Sequence, residues 1–301
     1  MMLISEVFSL FIIEKQTVGI YDSTIRTYKN IIENIFLPDI GDIEVIDITL
    51  QDLQRFIIKL RNKDISVNTV NTYWRHVKAF LRFMYKNDFI EHDLSIKIPP
   101  MKGYNSIKDI YLDDEIILIF NSIHGNSRSA LQKRAIFALL LDTGMRQSEI
   151  CNIEVSDISF KHKYINIRGM KSHSDRKVPI SMATVRIINK YMIKRIIPYN
   201  SNNQNLLFSI KNGNALTTGS IVRYVKTHVK DQGIKRGNTH LFRHTFITRK
   251  CLETNDAFYV QQLAGHSDLD TTRKYYQYAS GYQVVKVNLT SIDQLLASIK
   301  F

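Results

Sequence analysis

Cysteine is almost absent. Cys151 and Cys251 are the only two, a hundred residues apart. That gives neither a disulfide framework nor the paired spacing of a zinc site, and a reducing cytoplasm is the expected compartment. Proline (5) and glycine (12) are sparse, which excludes collagen-like and linker-rich architectures. No apolar run approaches the roughly 18 residues that span a bilayer. The opening MMLISEVFSLFIIEK is apolar, but it carries Glu6 and Glu14. It has no basic start and no small-residue cleavage site, so it does not read as a signal peptide. A GxxxxGK[ST] loop, an HExxH helix, a CxxC pair and a GxSxG elbow are all missing, so nucleotide hydrolysis and zinc chemistry have no visible apparatus. No cofactor or metal is expected.

What is present is a chain of 301 residues, long enough for two domains. Hydrophobic residues make up 44% and charged residues 23%, a balance that suits a packed globular protein rather than a disordered one. The net charge is +13. An excess of that size points to a polyanion, nucleic acid or a membrane surface. Residues 1–105 carry 13 Lys+Arg against 13 Asp+Glu, and residues 106–301 carry 28 against 15, so the whole excess lies in the second part. The neutral part is itself polarised. Six acids and no base lie between Lys29 and Arg55, whereas Arg55 to Lys86 holds eight bases and one acid, Asp64. Bases clustered on consecutive helices favour a nucleic-acid-facing surface over a merely solvated one. These helices lack the exposed aromatic face of a membrane-surface protein.

Residues 1–98 read as all helical. Asp22 and Ser23 can cap a helix bearing Ile25, Tyr28, Ile32 and Ile35. Thr49 begins a capping-box-like TLQD. Ser66 opens a helix to about Asn87 with Val70, Trp74, Val77, Leu81 and Met84 on one stripe. Asn71, Arg75, Lys78 and Arg82 form a second, polar stripe of the kind that suits phosphates in a groove. The segment 99–109, within IKIPPMKGYNSIKD, is the expected linker: prolines stop helices, and Gly103, Asn105 and Ser106 favour turns. Beyond it the pattern is mixed. Helices are expected at 112–122, 129–141, 147–153, 182–196, 218–231, 240–253 and 256–264, with a strand pair at 164–168 and 177–180. The expected fold is thus mainly α with a small antiparallel sheet. A last short helix, capped by Ser291, presents Ile292, Leu295, Leu296 and Ile299. It is too short to stand alone and needs a docking surface, its own or a neighbour's.

The basic part contains the residue types that phosphoryl transfer requires. Two arginines, Arg146 and Arg243, can fork onto phosphodiester oxygens. A lysine can give a proton to a leaving alkoxide, and a histidine can accept one. A tyrosine can attack if cations stabilise its phenolate. His240 and Arg243 lie three apart, on one helical face. His266 sits at a turn, nine residues before Tyr275. Singly each has a plain structural reading: a carbonyl cap, a satisfied core histidine, a turn residue, one of 15 tyrosines.

Taken in order, TGMRQSEI, GMKSHSDRKVPI, HLFRHTF, LAGHSDLDTT and RKYY resemble the successive boxes of the tyrosine recombinase (phage integrase) family, over about residues 107–280. The first third is similar to that family's core-binding domain in size and patterning only. The resemblance implies a core-binding DNA-binding domain at 1–98, a catalytic domain at 110–280 and a tail at 281–301 whose helix contacts another subunit. Arg146 and Arg243 match the pair that clamps the scissile phosphate. Lys171 matches the hairpin lysine that protonates the leaving 5′ oxygen, with Lys177 as the alternative donor. His240 matches a proton acceptor or phosphate ligand. His266 matches a hydrogen-bond donor to the phosphate, and Glu149 an acidic residue supporting Arg146. Tyr275 matches the nucleophile, with Tyr276 and Tyr278 close by. His244 adjoins Arg243 and is expected to face elsewhere on the helix. Ala264 stands where leucine is common, a tolerated packing change.

The implied reaction is site-specific DNA recombination through a 3′-phosphotyrosyl link, one phosphodiester traded for another without ATP or metal. The implied partners are double-stranded DNA with an inverted-repeat core site, a homotetramer on DNA joined through the tail, and accessory DNA-bending proteins. Competing readings are a type IB topoisomerase and a non-catalytic DNA-binding protein. The sequence shows no added arm-binding domain, which tilts the expectation toward a resolvase-like or transposon-borne enzyme that resolves, integrates or excises a mobile element.

Overall fold

In the computed structural model, residues 2–103, 109–169, 175–199, 204–284 and 289–299 are described. The first compact unit, Met1–Ser106, carries α1 (Ile4–Thr17), α2 (Asp22–Ile31), α3 (Leu37–Ile40), α4 (Leu50–Arg61) and α5 (Val67–Lys86). Two of the capping signals hold. Thr49 accepts from the Asp52 amide while the Asp52 carboxylate accepts from the Thr49 amide, and Ser66 accepts from Thr69. Both satisfy amides that a helix start leaves unpaired. The cap expected from Asp22 and Ser23 does not form: Tyr21 stands at the N-cap and gives no side-chain bond. The stripe Val70, Trp74, Val77, Leu81 and Met84 is buried as expected, joined by Phe80 and Phe83. Phe8 and Phe11 of α1 pack edge-on against them. Helix α1 was not foreseen.

The proline segment does not leave α5 at once. Trp74 Nε1 donates to the Ile98 carbonyl (3.1 Å), and the Asn71 amide both donates to Met101 O (2.9 Å) and accepts from Met101 N (2.8 Å). Asn71, expected to face DNA, is therefore occupied in strapping residues 98–101 onto its own helix.

The second unit, Ile107–Phe301, carries α6 (Asp113–Asn121), α7 (Arg128–Thr143), α8 (Gln147–Asn152), β1 (Ile158–Ser159), β2 (Tyr164–Ile167), β3 (Arg176–Pro179), α9 (Met182–Met192), α10 (Thr218–Asp231), α11 (Thr239–Thr254), α12 (Ala257–Ala264), α13 (Leu269–Val284) and α14 (Ile292–Ser298). Helix α7 is buried along almost its whole length, and its run Ala135-Ile136-Phe137-Ala138-Leu139-Leu140-Leu141 is apolar on all sides, as a segment enclosed by the core must be. It packs against α9 and α11. The strands form one antiparallel sheet in the order β1-β2-β3, with Ile165 opposite Val178 and Ile167 opposite Arg176. The mainly α fold with a small antiparallel sheet is as expected. Helix α13 was not foreseen. Its Thr271-Thr272 pair and interior Gly281 are poor helix formers, and packing on α11 and α12 holds it.

The tail helix meets its docking surface within the same chain. Ile292, Leu295, Leu296 and Ile299 are buried where α14 lies on α7 and α9.

Candidate active site

The site grows from the C-terminal end of α12. Helix ends leave carbonyls without partners and carry the negative end of the helix dipole. Here three successive carbonyls accept from three different arginines. Arg176 Nε donates to Leu263 O (2.9 Å), Arg243 Nη2 to Ala264 O (2.5 Å) and Arg146 Nη2 to Gly265 O (3.2 Å). Gly265 ends the helix at φ +62, and a Cβ there would meet the Arg176 guanidinium at 3.0 Å. The turn therefore requires glycine twice, for its left-handed backbone and for the arginine lying against it.

Glu149, buried on α8, joins two of these cations. Arg176 clamps it with both Nη atoms (2.9 Å each), and Arg146 reaches it through Nη1 (3.1 Å) and its backbone amide (2.7 Å). Burial alone would raise the Glu149 carboxyl. The hydrogen bonds and charges of Arg176 and Arg146 more than offset this and hold it below its ordinary value. Arg243 gives its remaining Nη1 to Gly144 O (2.6 Å). Burial, reinforced by Arg146, pushes its guanidinium down to about 10, so it stays charged at neutral pH. Three guanidiniums against one carboxylate leave the cluster at +2.

Tyr275 on α13 is 4% exposed. Burial pushes its phenol up to about 12, while Arg243 pulls it down. Two histidines flank the ring. The His266 ring lies nearly parallel to it, centroids 5.9 Å apart, and is fixed by Nδ1 to Thr272 Oγ1 (2.9 Å). His244 Nδ1 hydrogen-bonds the Tyr275 hydroxyl, with ring centroids 5.4 Å apart. The expectation that His244 faces elsewhere is corrected. Residues four apart on a helix point to nearly the same side, so His244 shares the face of His240 and lies one turn nearer the core.

The structure thus brings Arg146, Glu149, Arg243, His266 and Tyr275 together. His240 sits exposed in the first turn of α11, and among the described residues none hydrogen-bonds its ring. Lys171 lies outside the described residues. Lys177 alternates to the face of β3 opposite Arg176 and lies over the Tyr164 ring (5.2 Å), which removes it from this cluster. Tyr276 turns to Cys251 and Thr254, away from the arginines. Arg75 and Arg82 are exposed and Lys78 half-buried on α5, beside a groove of about 870 Å³ in the first unit.

Two residues of the cluster were missed. Arg176 had a signal, a charge at an inward-facing strand position, since residues two apart share a face and Val178 is apolar. His244 had the i, i+4 spacing from His240.

A family model described as the phage integrase family matches residues 111–281. A second, the phage integrase N-terminal SAM-like domain, matches residues 4–61. The chain belongs to the phage integrase family, the tyrosine recombinases. Among its relatives, tyrosine recombinase XerA of Pyrococcus furiosus is 29% identical over 274 residues, 90% of this chain and 89% of that one. Tyrosine recombinase XerD of Oceanobacillus iheyensis is 26% identical, covering 85% of this chain and 88% of that one. The Tn1549 transposon integrase, solved in complex with a circular intermediate DNA, superposes with a TM-score of 0.77 at 19% identity over 95% of this chain and all of that one. A lambda integrase dimer bound to a core site superposes at 0.75 and 15% identity, covering 91% of this chain and 95% of that one. The fold of this tyrosine recombinase is theirs. Among its described residues no helix is long and apolar enough to cross a membrane.

Proposed function

We propose that this tyrosine recombinase cuts and rejoins DNA with Tyr275 as nucleophile, and that Arg146 and Arg243 bind the scissile phosphate. The +2 cluster around a buried phenol carries the reading. It is a preformed anion site in which guanidiniums are held by buried carbonyls and Glu149, so their geometry is set before the substrate arrives. Charge-assisted hydrogen bonds to a phosphate are each worth about 1.5–3 kcal/mol and strengthen as charge grows on the pentacoordinate phosphorus.

In the cleavage step the Tyr275 oxygen bonds to phosphorus and the bond to the 5′ oxygen breaks. The phenolic proton passes to a histidine, Lys171 protonates the leaving oxygen, His240 serves as proton acceptor or phosphate ligand, and His266 donates to the phosphate. A 5′ hydroxyl of the partner duplex reverses the step. Arg75, Lys78 and Arg82 bind backbone phosphates through the first unit, the core-binding domain, and Ile107 onward forms the catalytic domain with its tail. Exchange between two duplexes calls for a homotetramer on an inverted-repeat core site. In that assembly the tail helix occupies on a neighbour the surface that α14 covers on its own chain. The setting is the cytoplasm, the role is resolution or integration and excision of a mobile element, and DNA-bending proteins assist it.

The experiment is covalent capture. A pool of nicked duplexes of randomised sequence, in which cleavage releases a short strand and blocks religation, is mixed with the full chain. Wild type should yield a denaturant-stable protein–DNA adduct. Tyr275→Phe should yield none and Tyr276→Phe should retain it. An adduct surviving in Tyr275→Phe overturns the reading.

A further inference from the structure

When a protonated phenol attacks phosphorus its proton must leave, and the structure sets an imidazole against the hydroxyl. His244 Nδ1 is hydrogen-bonded to the Tyr275 hydroxyl. The other ring against the phenol, His266, has its Nδ1 engaged by Thr272 Oγ1. His240 is exposed one turn away. A neutral imidazole has a single acceptor nitrogen, and a phenol hydrogen-bonded to Nδ1 can hand its proton over without moving.

Accepting the reading of Tyr275 as nucleophile, we infer that His244, rather than His240, is the catalytic residue that takes the phenolic proton. The bookkeeping of atoms is complete. The Tyr275 O–H bond breaks and the proton passes to His244 Nδ1, a step that uses the neutral tautomer with its hydrogen on the other ring nitrogen. The tyrosyl oxygen forms its bond to phosphorus, and the 5′ oxygen departs with a proton from the general acid on the far side of the phosphorus. In rejoining, a 5′ hydroxyl attacks and gives its proton back to the deprotonated general acid, the phosphotyrosyl bond breaks, and the His244 imidazolium returns its proton to Tyr275.

Three features of the fold serve this contact. Arg243, next to His244 on α11, is anchored to Gly144 O and Ala264 O, so this turn of the helix is held from two sides. Helix α13 packs along α11 and brings Tyr275 alongside it. The buried phenol resists ionisation, so attack depends on an acceptor in place.

The test uses a duplex recovered from the covalent capture above and measures single-turnover adduct formation by the full chain. His244→Ala and His244→Gln should each slow the step by about 10²-fold or more, the lower range for a general base, with duplex binding unchanged. Free imidazole should restore part of the His244→Ala rate. A duplex with sulfur at the 5′ bridging position separates the two proton transfers, because a thiolate leaves without a proton. The His244 defect should persist on it. A wild-type rate in His244→Gln, or a defect that vanishes on the sulfur duplex, overturns the inference. Should His244→Ala fail to bind the duplex, His244→Gln, which keeps a polar group of similar reach, carries the test. Tyr275→Phe inactive beside active His244 variants sinks this inference alone, and an adduct in Tyr275→Phe sinks the nucleophile as well.

Discussion

Ser95 is the only buried polar side chain among the described residues of the first unit, whereas the second buries four arginines (Arg134, Arg176, Arg243, Arg249) and three carboxylates (Asp142, Glu149, Asp157). The first unit has an apolar core and wears its bases outside. The second folds part of its charge inward and must satisfy it there. A displayed cation stays hydrated and contributes to affinity through summed phosphate contacts. A buried guanidinium is expensive to desolvate, so most of its donors are given partners inside the fold, as those of Arg176 and Arg243 are by Glu149 and backbone carbonyls. In exchange its position is fixed. A displayed cation can add affinity without a fixed geometry, and a buried one has its geometry fixed.

The largest effect is expected from Arg176→Met. It leaves Glu149 buried with Arg146 as its remaining ion-pair partner, and breaking such a pair typically costs about 3–5 kcal/mol. Urea unfolding of the full chain should show that loss, and DNA cleavage should fall with it because Arg146 loses its support. A variant as stable as wild type would mean that the buried charge is not holding the second unit together.

Gly265→Ala comes next. It forces a β-carbon onto a left-handed backbone, at about 1–2 kcal/mol, and against the Arg176 guanidinium. The unfolding free energy should drop by that amount and adduct formation should slow, since the carbonyl of residue 265 anchors Arg146.

A pH series sharpens the contrast further. The Glu149 carboxyl lies below its ordinary value in the folded protein. Its ionised form therefore adds stability above the usual carboxylate range, and that stability is lost as the pH falls through the lowered value. Glu149→Gln should be less stable than wild type at neutral pH. Its stability should fall less steeply below pH about 4.3, read as the change of melting temperature with pH.

The smallest effects on stability belong to the first unit. Arg75→Ala, Lys78→Ala and Arg82→Ala should each change stability by no more than about 0.5 kcal/mol. Each should weaken DNA binding nearly uniformly across sequences and lower the salt slope by about 1. A change of stability comparable to that of Arg176→Met would erase the distinction between displayed and buried charge.

Legibility differed in the same way. Helices α4 and α5 could be read because Thr49 and Ser66 act on amides within three residues, and because Val70, Trp74 and Val77 repeat at the helical period. The strand pair was readable from alternation. Helix α13 was not, since Thr271, Thr272 and Gly281 weaken its local preference and α11 with α12 supply what is lacking. Asn71 was assigned to a phosphate because its stripe is polar; its real partner, Met101, lies thirty residues on.

The order of motifs determined the family and periodicity the mainly α fold, and residue type with short-range spacing singled out Arg146, Glu149, Lys171, His240, Arg243, His266 and Tyr275 as candidates, because these survive in one dimension. Only tertiary structure decided that Leu263, Ala264 and Gly265 would each receive a different arginine, that Arg176 would clamp Glu149, and that His244 would meet the phenol. These contacts join segments up to 119 residues apart. Burial, nearly complete for Arg176 and Arg243 and partial for Arg146 and His244, is a property of the assembled core and not of any stretch of chain.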